Sequence, residues 1–267
     1  MVIRFAPPVA PLFVPANRQD RFQKAAQSGT DAVILDLEDA VAAADKDIAR
    51  NNVIKFSGEI AAPVIIRINA VGTPWHSQDL DALRTLPFAA IMVPKVESAI
   101  DIPNIGKVLR ENVAIIALIE SAFGLAHLSE ILSEPRLAMI AFGSVDFALD
   151  IGCSHAQTAL MPARGEIIWR SRAANKLAPL DGVTTKFDDP SEIKSDAKLS
   201  ASLGFGGKMA IHPQQIQPIK HAFKPSAELI AWAKNVLATS TNTGVISIGG
   251  EMIDAPMIER AQRILKG

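Results

Sequence analysis

Along this chain, short runs of continuously apolar residues alternate with stretches whose apolar positions recur at helical spacing. The runs fall at residues 11–15, 32–35, 64–68, 90–93, 114–119, 138–142, 178–183 and 208–211, the seventh being weak. Between them, residues 20–28, 77–85, 100–111, 125–132, 164–175 and 191–203 read as amphipathic helices. A run apolar on both sides suits a parallel sheet, whose two faces are both covered. Eight such runs alternating with helices predict a closed (β/α)8 TIM barrel rather than an open doubly wound sheet. The absence of a G-x-G-x-x-G turn after the first run argues against a dinucleotide-binding fold.

The pattern changes after Pro213. Residues 226–239 predict a helix with Ser226 as N-cap, 244–248 a short strand, Gly249-Gly250 a turn, and 255–266 a final helix. The expected organisation is a catalytic barrel over residues 1–222 and a helix–strand–helix extension over 223–267. That extension packs either on its own barrel or on a neighbouring subunit.

In an α/β barrel the functional groups sit at the C-terminal ends of the strands, so the residues that follow each run carry the candidate chemistry. Asn17 and Arg18 follow the first; Asp36, Glu38 and Asp39 the second; Arg67 and Asn69 end the third. Lys95 and Glu97 follow the fourth, Glu120 the fifth, Ser144 and Asp146 the sixth; Asp181 lies within the seventh, and His212 follows the eighth. A buried carboxylate needs a partner, and several converging on one mouth need a cation. A metal ion together with Arg67 and Lys95 would meet that need. Oxygen donors, with His and Cys scarce, favour Mg2+ or Mn2+ over Zn2+. Glu120 and Asp146, from adjacent strands, suit the one or two protein carboxylates that Mg2+ takes.

Blander readings stand beside these. Residues 36–39 and Asp146 also fit helix caps, Glu120 a structural ion pair, Arg67 a buried salt bridge to the second strand, and Lys95 loop surface. His212 reads best as a residue that fixes its own loop, and the three tryptophans as packing.

Composition narrows the field. Lys plus Arg is 27 and Asp plus Glu is 28, a net charge of −1, which points away from nucleic acid. The lone Cys153 permits no disulfide within the chain and fits a reducing, cytoplasmic setting. No run approaches the roughly 20 apolar residues of a membrane span, and the first nine residues do not read as a signal peptide. With no tyrosine in the chain, no phenol is available as acid or oxyanion donor.

Taken together, the motifs resemble the citrate lyase β-subunit-like group of the HpcH/HpaI aldolase superfamily, which includes malyl-CoA and citramalyl-CoA lyases. The resemblance rests on Leu12-Phe13-Val14-Pro15, on Asp31 through Val41 with its Asp36-Leu37-Glu38-Asp39 core, and on Arg67-Ile68-Asn69. Val93-Pro94-Lys95-Val96-Glu97-Ser98, Leu118-Ile119-Glu120-Ser121 and Phe142-Gly143-Ser144-Val145-Asp146 continue it. It closes with Asp181-Gly182, Gly204-Phe205-Gly206-Gly207-Lys208, Ile211-His212-Pro213 and Met252-Ile253-Asp254.

The resemblance implies Glu120 and Asp146 as Mg2+ ligands, and Glu38 with Asp36 and Asp39 as the acidic group around metal-bound water. It implies Arg67 as the residue that binds substrate and its developing oxyanion. Asp254 is implied as an acid or base that completes a neighbouring subunit's site, in trimers or hexamers. Substrates would be an acyl-CoA and a 2-oxo acid. The same parts also suit a thioester hydrolase, a malate-synthase-like enzyme, a subunit of a citrate-lyase-type complex using an acyl-carrier protein, or an aldolase of free 2-oxo acids. One departure stands out: Ala10-Pro11 occupy the place of an Arg-Ser pair common in relatives. The CoA site is then altered, or Arg18, Arg21 or Lys24 takes over the phosphates.

Overall fold

A computed structural model of the chain describes residues 5–239, 246–248 and 251–266. They form two compact units, residues 1–220 and 221–267. The first is a TIM-barrel-like α/β unit. Its strands are β1 (Leu12–Pro15), β2 (Val33–Asp36), β3 (Val64–Arg67), β4 (Ala90–Val93), β5 (Ala114–Ile119), β6 (Leu137–Phe142), β7 (Leu180–Asp181) and β8 (Gly207–Lys208). All neighbours are parallel, in sequence order. Past β8 the chain turns back onto β1: Ala210 N donates to Pro11 O and Phe13 N to Ala210 O, both at 2.9 Å.

Alternation along each strand sorts the residues. Ile34, Ile65, Met92, Ile116, Leu118, Met139 and Leu180 gather in one buried cluster with the small Ala32, Ala90 and Ala141. Large and small side chains thus share one face, while Val33, Leu35 and Ile66, also fully buried, occupy the other.

Three helices lie beyond the amphipathic stretches expected: Lys46–Phe56 between β2 and β3, Ser144–Asp150 after β6, where the sequence offers a helix only as the blander reading of Asp146, and Ile216–Phe223 after β8. The helix expected at 164–175 begins earlier and spans Gln157–Ala173, with Pro162 inside its first two turns. Strands β7 and β8 are only two residues each, shorter than expected. Their backbones are fastened by a buried charge cluster instead. Asp181 accepts from Arg164 Nε at 3.0 Å and from the Ser200 hydroxyl, and Lys208 Nζ lies 3.5 Å away. Arg164 and Lys208 are almost fully buried.

Burial alone would push the Asp181 carboxyl up, but Lys208, Arg164 and Ser200 outweigh it and hold it below the ordinary carboxylate value. Such a group adds stability above its unfolded pKa and loses it as pH falls through the lowered folded value. Asp181→Asn strands two buried cations, so a loss of about 3–5 kcal/mol is expected in urea unfolding at neutral pH. The gap between variant and wild type should narrow as the pH is taken well below 4 or so, where the wild-type carboxyl also protonates.

The second unit pairs helix Ala227–Thr239 with helix Ala255–Lys266 around Ala233, Val236, Ile253 and Ala261. Ser226 Oγ accepts from Leu229 N at 3.1 Å, the expected N-cap bond. Where one strand is expected there are two, β9 (Ile246–Ile248) and β10 (Glu251–Ile253), paired antiparallel so that each satisfies the other's backbone. The Gly249-Gly250 turn lies outside the described residues. No described helix is long and apolar enough to cross a membrane.

Candidate active site

Parallel register places Asp36, the last residue of β2, beside Arg67, the last of β3. Arg67 donates from Nε and Nη2 to the two Asp36 oxygens, each at 2.7 Å, a bidentate fork that fixes the guanidinium plane. Asp36 also accepts from the backbone N–H groups of Glu38 at 2.9 Å and Ala40 at 3.0 Å. Its four contacts shape the loop and aim Arg67. No helix begins here; a 3-10 turn at Ala43–Asp45 follows. Arg67 Cζ sits 4.9 Å from the Phe13 ring centre, and Nη1 reaches 3.1 Å from Glu38 Oε2. Burial opposes its charge, but Asp36 and Glu38 more than restore it, so the guanidinium stays cationic.

Glu38 is buried, and its loop is held by a residue that the sequence reading missed. Lys46 Nζ donates to Leu37 O at 2.7 Å, Glu38 O at 2.8 Å and Asn69 Oδ1 at 2.7 Å. Asn69 in turn donates to the fully buried Asp79, which Arg50 Nε meets at 2.9 Å. A lysine on the buried side of an unforeseen helix was the one signal available.

Lys95 lies past β4 with φ at +53°, a left-handed conformation that costs a non-glycine residue energy and commonly marks functional loops. That backbone turns its N–H onto Glu120 Oε2 at 2.8 Å, while Nζ reaches Glu38 Oε1 at 2.8 Å and Asp39 Oδ1 at 3.5 Å. Lys95 is thus a clamp between two loops rather than plain surface.

Glu120 follows β5 directly. Gly143 makes room for it: a Cβ there would lie 2.2 Å from Glu120 Cγ and 2.6 Å from Oε1. Burial first, then the charges of Glu38 and Asp146, raise the Glu120 carboxyl to about 8 against the pull of Arg67 and the Lys95 N–H. Burial also raises Glu38, despite Arg67 and Lys95. Among the described residues nothing donates a hydrogen bond to Glu120 Oε1, and buried Glu38 Oε2 has its ion pair but no aligned hydrogen bond. Asp146 stands half-buried in the first turn of helix Ser144–Asp150, not at its cap.

These groups line a cavity of about 330 Å³, with Arg67, Glu120, Asp146 and Asp39 among apolar Phe13 and Leu118. A second cavity of about 710 Å³ shares Phe13, Ala40 and Ile211 with it and carries Arg18, Arg21 and Lys24. His212 fixes its loop, accepting from Gln214 N at 3.3 Å and stacking on Phe187. Other candidates fall elsewhere. Asn17 donates to Asp45, Glu97 accepts from Ser121, and Asp181 belongs to the β7–β8 charge cluster. Asp254 lies in the second unit, where Oδ1 caps a helix by accepting from Met257 N. Trp169 is exposed, lying against Arg170, rather than packed inside.

Among the described residues no group of three or more His, Cys, Asp or Glu surrounds a metal-sized space. The cavity instead offers the carboxyl groups of Glu120, Asp146 and Asp39 beside the guanidinium of Arg67, which Asp36 holds in place.

A sequence profile of the family "HpcH/HpaI aldolase/citrate lyase" matches residues 10–213. A citrate lyase subunit beta-like protein of Mycobacterium tuberculosis is 35% identical over 96% of this chain and 93% of its own length. The mitochondrial citramalyl-CoA lyase of Homo sapiens is 30% identical over 97% of this chain and 85% of its own. Among solved structures, protein CitE of Mycobacterium tuberculosis in complex with magnesium, acetoacetate and coenzyme A superposes with a TM-score of 0.88. It is 33% identical, with 98% of each chain covered.

Proposed function

The chain belongs to the HpcH/HpaI aldolase/citrate lyase family, and from that premise we propose that it is a Mg2+-dependent carbon–carbon lyase. Its substrate is a β-hydroxyacyl thioester of the malyl-CoA, citramalyl-CoA or citryl kind, cleaved or formed. The observation that carries this reading is the buried, under-compensated Glu120 facing the same cavity as Asp146 and the forked Arg67.

Those residues fit Mg2+. Glu120 Oε1 receives no hydrogen bond from a described residue, the donors are oxygens, and two protein carboxylates are what this ion commonly takes. Glu120 and Asp146 would hold it, with Glu38 and Asp39 as outer acceptors for its water. When bound, Mg2+ supplies Lewis acidity towards substrate oxygens.

The chain's own groups supply the rest. In cleavage, a carboxylate of the mouth, Glu38 in this reading, takes the alcohol's proton, the alcohol oxygen becomes the carbonyl of the departing 2-oxo acid, the adjacent carbon–carbon bond breaks, and its electron pair moves onto the thioester carbonyl oxygen as an enolate. Arg67 donates to that oxygen, a contribution worth about 3–4 kcal/mol for one well-placed donor. Its Asp36 fork sets the direction beforehand, and Phe13 and Leu118 keep the wall apolar. Asp254 of a neighbouring copy would exchange the proton at the enolate carbon, which makes the second unit a shared part of a homotrimer or hexamer. In the adjoining cavity Arg21 and Lys24, with Arg18 bonded to Asp20, would meet the carrier's phosphates.

The test is to incubate the protein with Mg2+, acetyl- or propionyl-CoA, and glyoxylate or pyruvate, following products by mass spectrometry. A condensed hydroxyacyl-CoA supports the lyase; free CoA as the main product points to a hydrolase or synthase. Activity that appears only with an acyl-carrier protein or with free 2-oxo acids replaces the CoA reading. Glu120→Ala is expected to abolish Mn2+ binding in an electron-paramagnetic-resonance titration. Unchanged affinity would remove Glu120 from the ligand set.

A further inference from the structure

Asp146 depends on how its short helix is seated. The helix Ser144–Asp150 begins after Gly143, which has no side chain to cap it. Its first residue, Ser144, is buried, and its hydroxyl lies 2.9 Å from His155 Nε2. His155 stands in the loop that follows the same helix, so this bond folds the loop back onto the helix start. Ser144 is also wedged against Gly182, the residue after β7: a Cβ there would lie 2.0 Å from Ser144 Oγ. Other contacts seat the rest of the helix. Gly143 N donates to Ile119 O at 2.8 Å, Phe147 packs edge-on against Phe142, and Asp150 accepts from Ala122 N at 2.7 Å. None of these is a hydrogen bond to the Ser144 side chain in the first turn; His155 supplies that one.

The surroundings of His155 suit that task. Burial and the charges of Arg164 and Lys208 favour the neutral ring, against Asp196 and Asp181. A neutral Nε2 can accept the Ser144 proton. His155 itself faces a separate cavity with Arg164 and Asp196, away from the one that holds Glu120.

We propose that His155 is a positioning residue for metal binding, which through Ser144 Oγ fixes the first helical turn and thereby the direction of the Asp146 carboxylate. This rests on Asp146 being a metal ligand, as read above. The probe is Mn2+ alone, titrated into the full chain by electron paramagnetic resonance, with circular dichroism and melting midpoints recorded for each variant. Supporting side chains around a metal site change affinity by about 10- to 100-fold when removed, so His155→Ala should weaken Mn2+ binding about tenfold. Ser144→Ala should do the same, and the double variant should lose no more than either single one, since they remove one bond. His155→Gln, which keeps a polar group in reach of Ser144, should recover most of the affinity.

A purely structural role would lower the melting midpoint without moving Mn2+ affinity. Wild-type affinity in folded His155→Ala or Ser144→Ala would therefore overturn the proposal. If His155→Ala does not fold, Ser144→Ala, which loses one oxygen, decides. Asp146→Asn separates the two readings. If it leaves Mn2+ binding intact, the ligand assignment falls and the positioning role with it. If it abolishes binding while His155→Ala does not weaken it, only the positioning role fails.

Discussion

Arg67→Lys is expected to lower kcat by about a hundred- to a thousandfold, the usual loss when one donor to a developing oxyanion is removed. The substitution keeps the charge, so the loss isolates geometry. Arg67 uses Nε and Nη2 on Asp36 and turns Nη1 towards Glu38. An ammonium is one point of charge and cannot fork onto Asp36 while also reaching the substrate. It would settle among Asp36 and Glu38, shorter by the guanidinium's reach, and leave the oxyanion without its donor. The guanidinium's cation–π contact with Phe13 would be lost as well. Steady-state kinetics with the thioester should show the deficit mainly in kcat, because the contact strengthens as the enolate forms. A kcat within a few-fold of wild type would mean that Arg67 serves the fold of the mouth and not the reaction.

Gly143→Ala should be as damaging to metal binding as removing Glu120 itself. The glycine has no unusual backbone torsion; the constraint is space. A methyl group there would overlap Glu120 Cγ, Cδ and Oε1. Glu120 would have to leave its rotamer, giving up the Lys95 N–H and its place beside Asp146. Overpacking of this kind costs about 1–3 kcal/mol. Mn2+ titration should show loss of the site, and urea unfolding a loss of stability in that range. Adding Glu120→Ala to Gly143→Ala should recover stability, because the clashing side chain is gone, while metal binding stays absent. If Gly143→Ala binds Mn2+ as wild type does, the ion does not need Glu120 where it now stands.

The strands were legible because helices cover their outer faces and the partner strands converge inside, so they read as apolar runs. The helix Lys46–Phe56 was not, since its buried positions include Lys46 beside Ala49 and Val53 and so break the apolar stripe. Strands β7 and β8 were read too long because they hold by the Asp181 cluster rather than by extended pairing. At the mouth, charged residues closing apolar runs marked the candidates. What those runs could not convey was who is already engaged. Asp36 is taken up by Arg67 and two amides, a fact of register between neighbouring strands, whereas Glu120 keeps one oxygen unbonded. Lys46, Asn69 and Asp79 form a support that spans three segments, so no local spacing betrays it. Gly143 owes its importance to a side chain more than twenty residues away.

The left-handed backbone at Lys95 ties two adjustments of this enzyme to a single position. Its amide steadies Glu120 and its ammonium neutralises the rim at Glu38 and Asp39. A lineage under pressure to accept a bulkier or differently charged substrate could replace the side chain, provided the newcomer tolerates a positive φ, and leave Glu120 undisturbed. The reverse route is closed, because any change that flips this backbone moves both groups at once. A change of the Lys95 side chain would therefore alter the acidic loop at Glu38 and Asp39 while the amide contact to Glu120 stays in place.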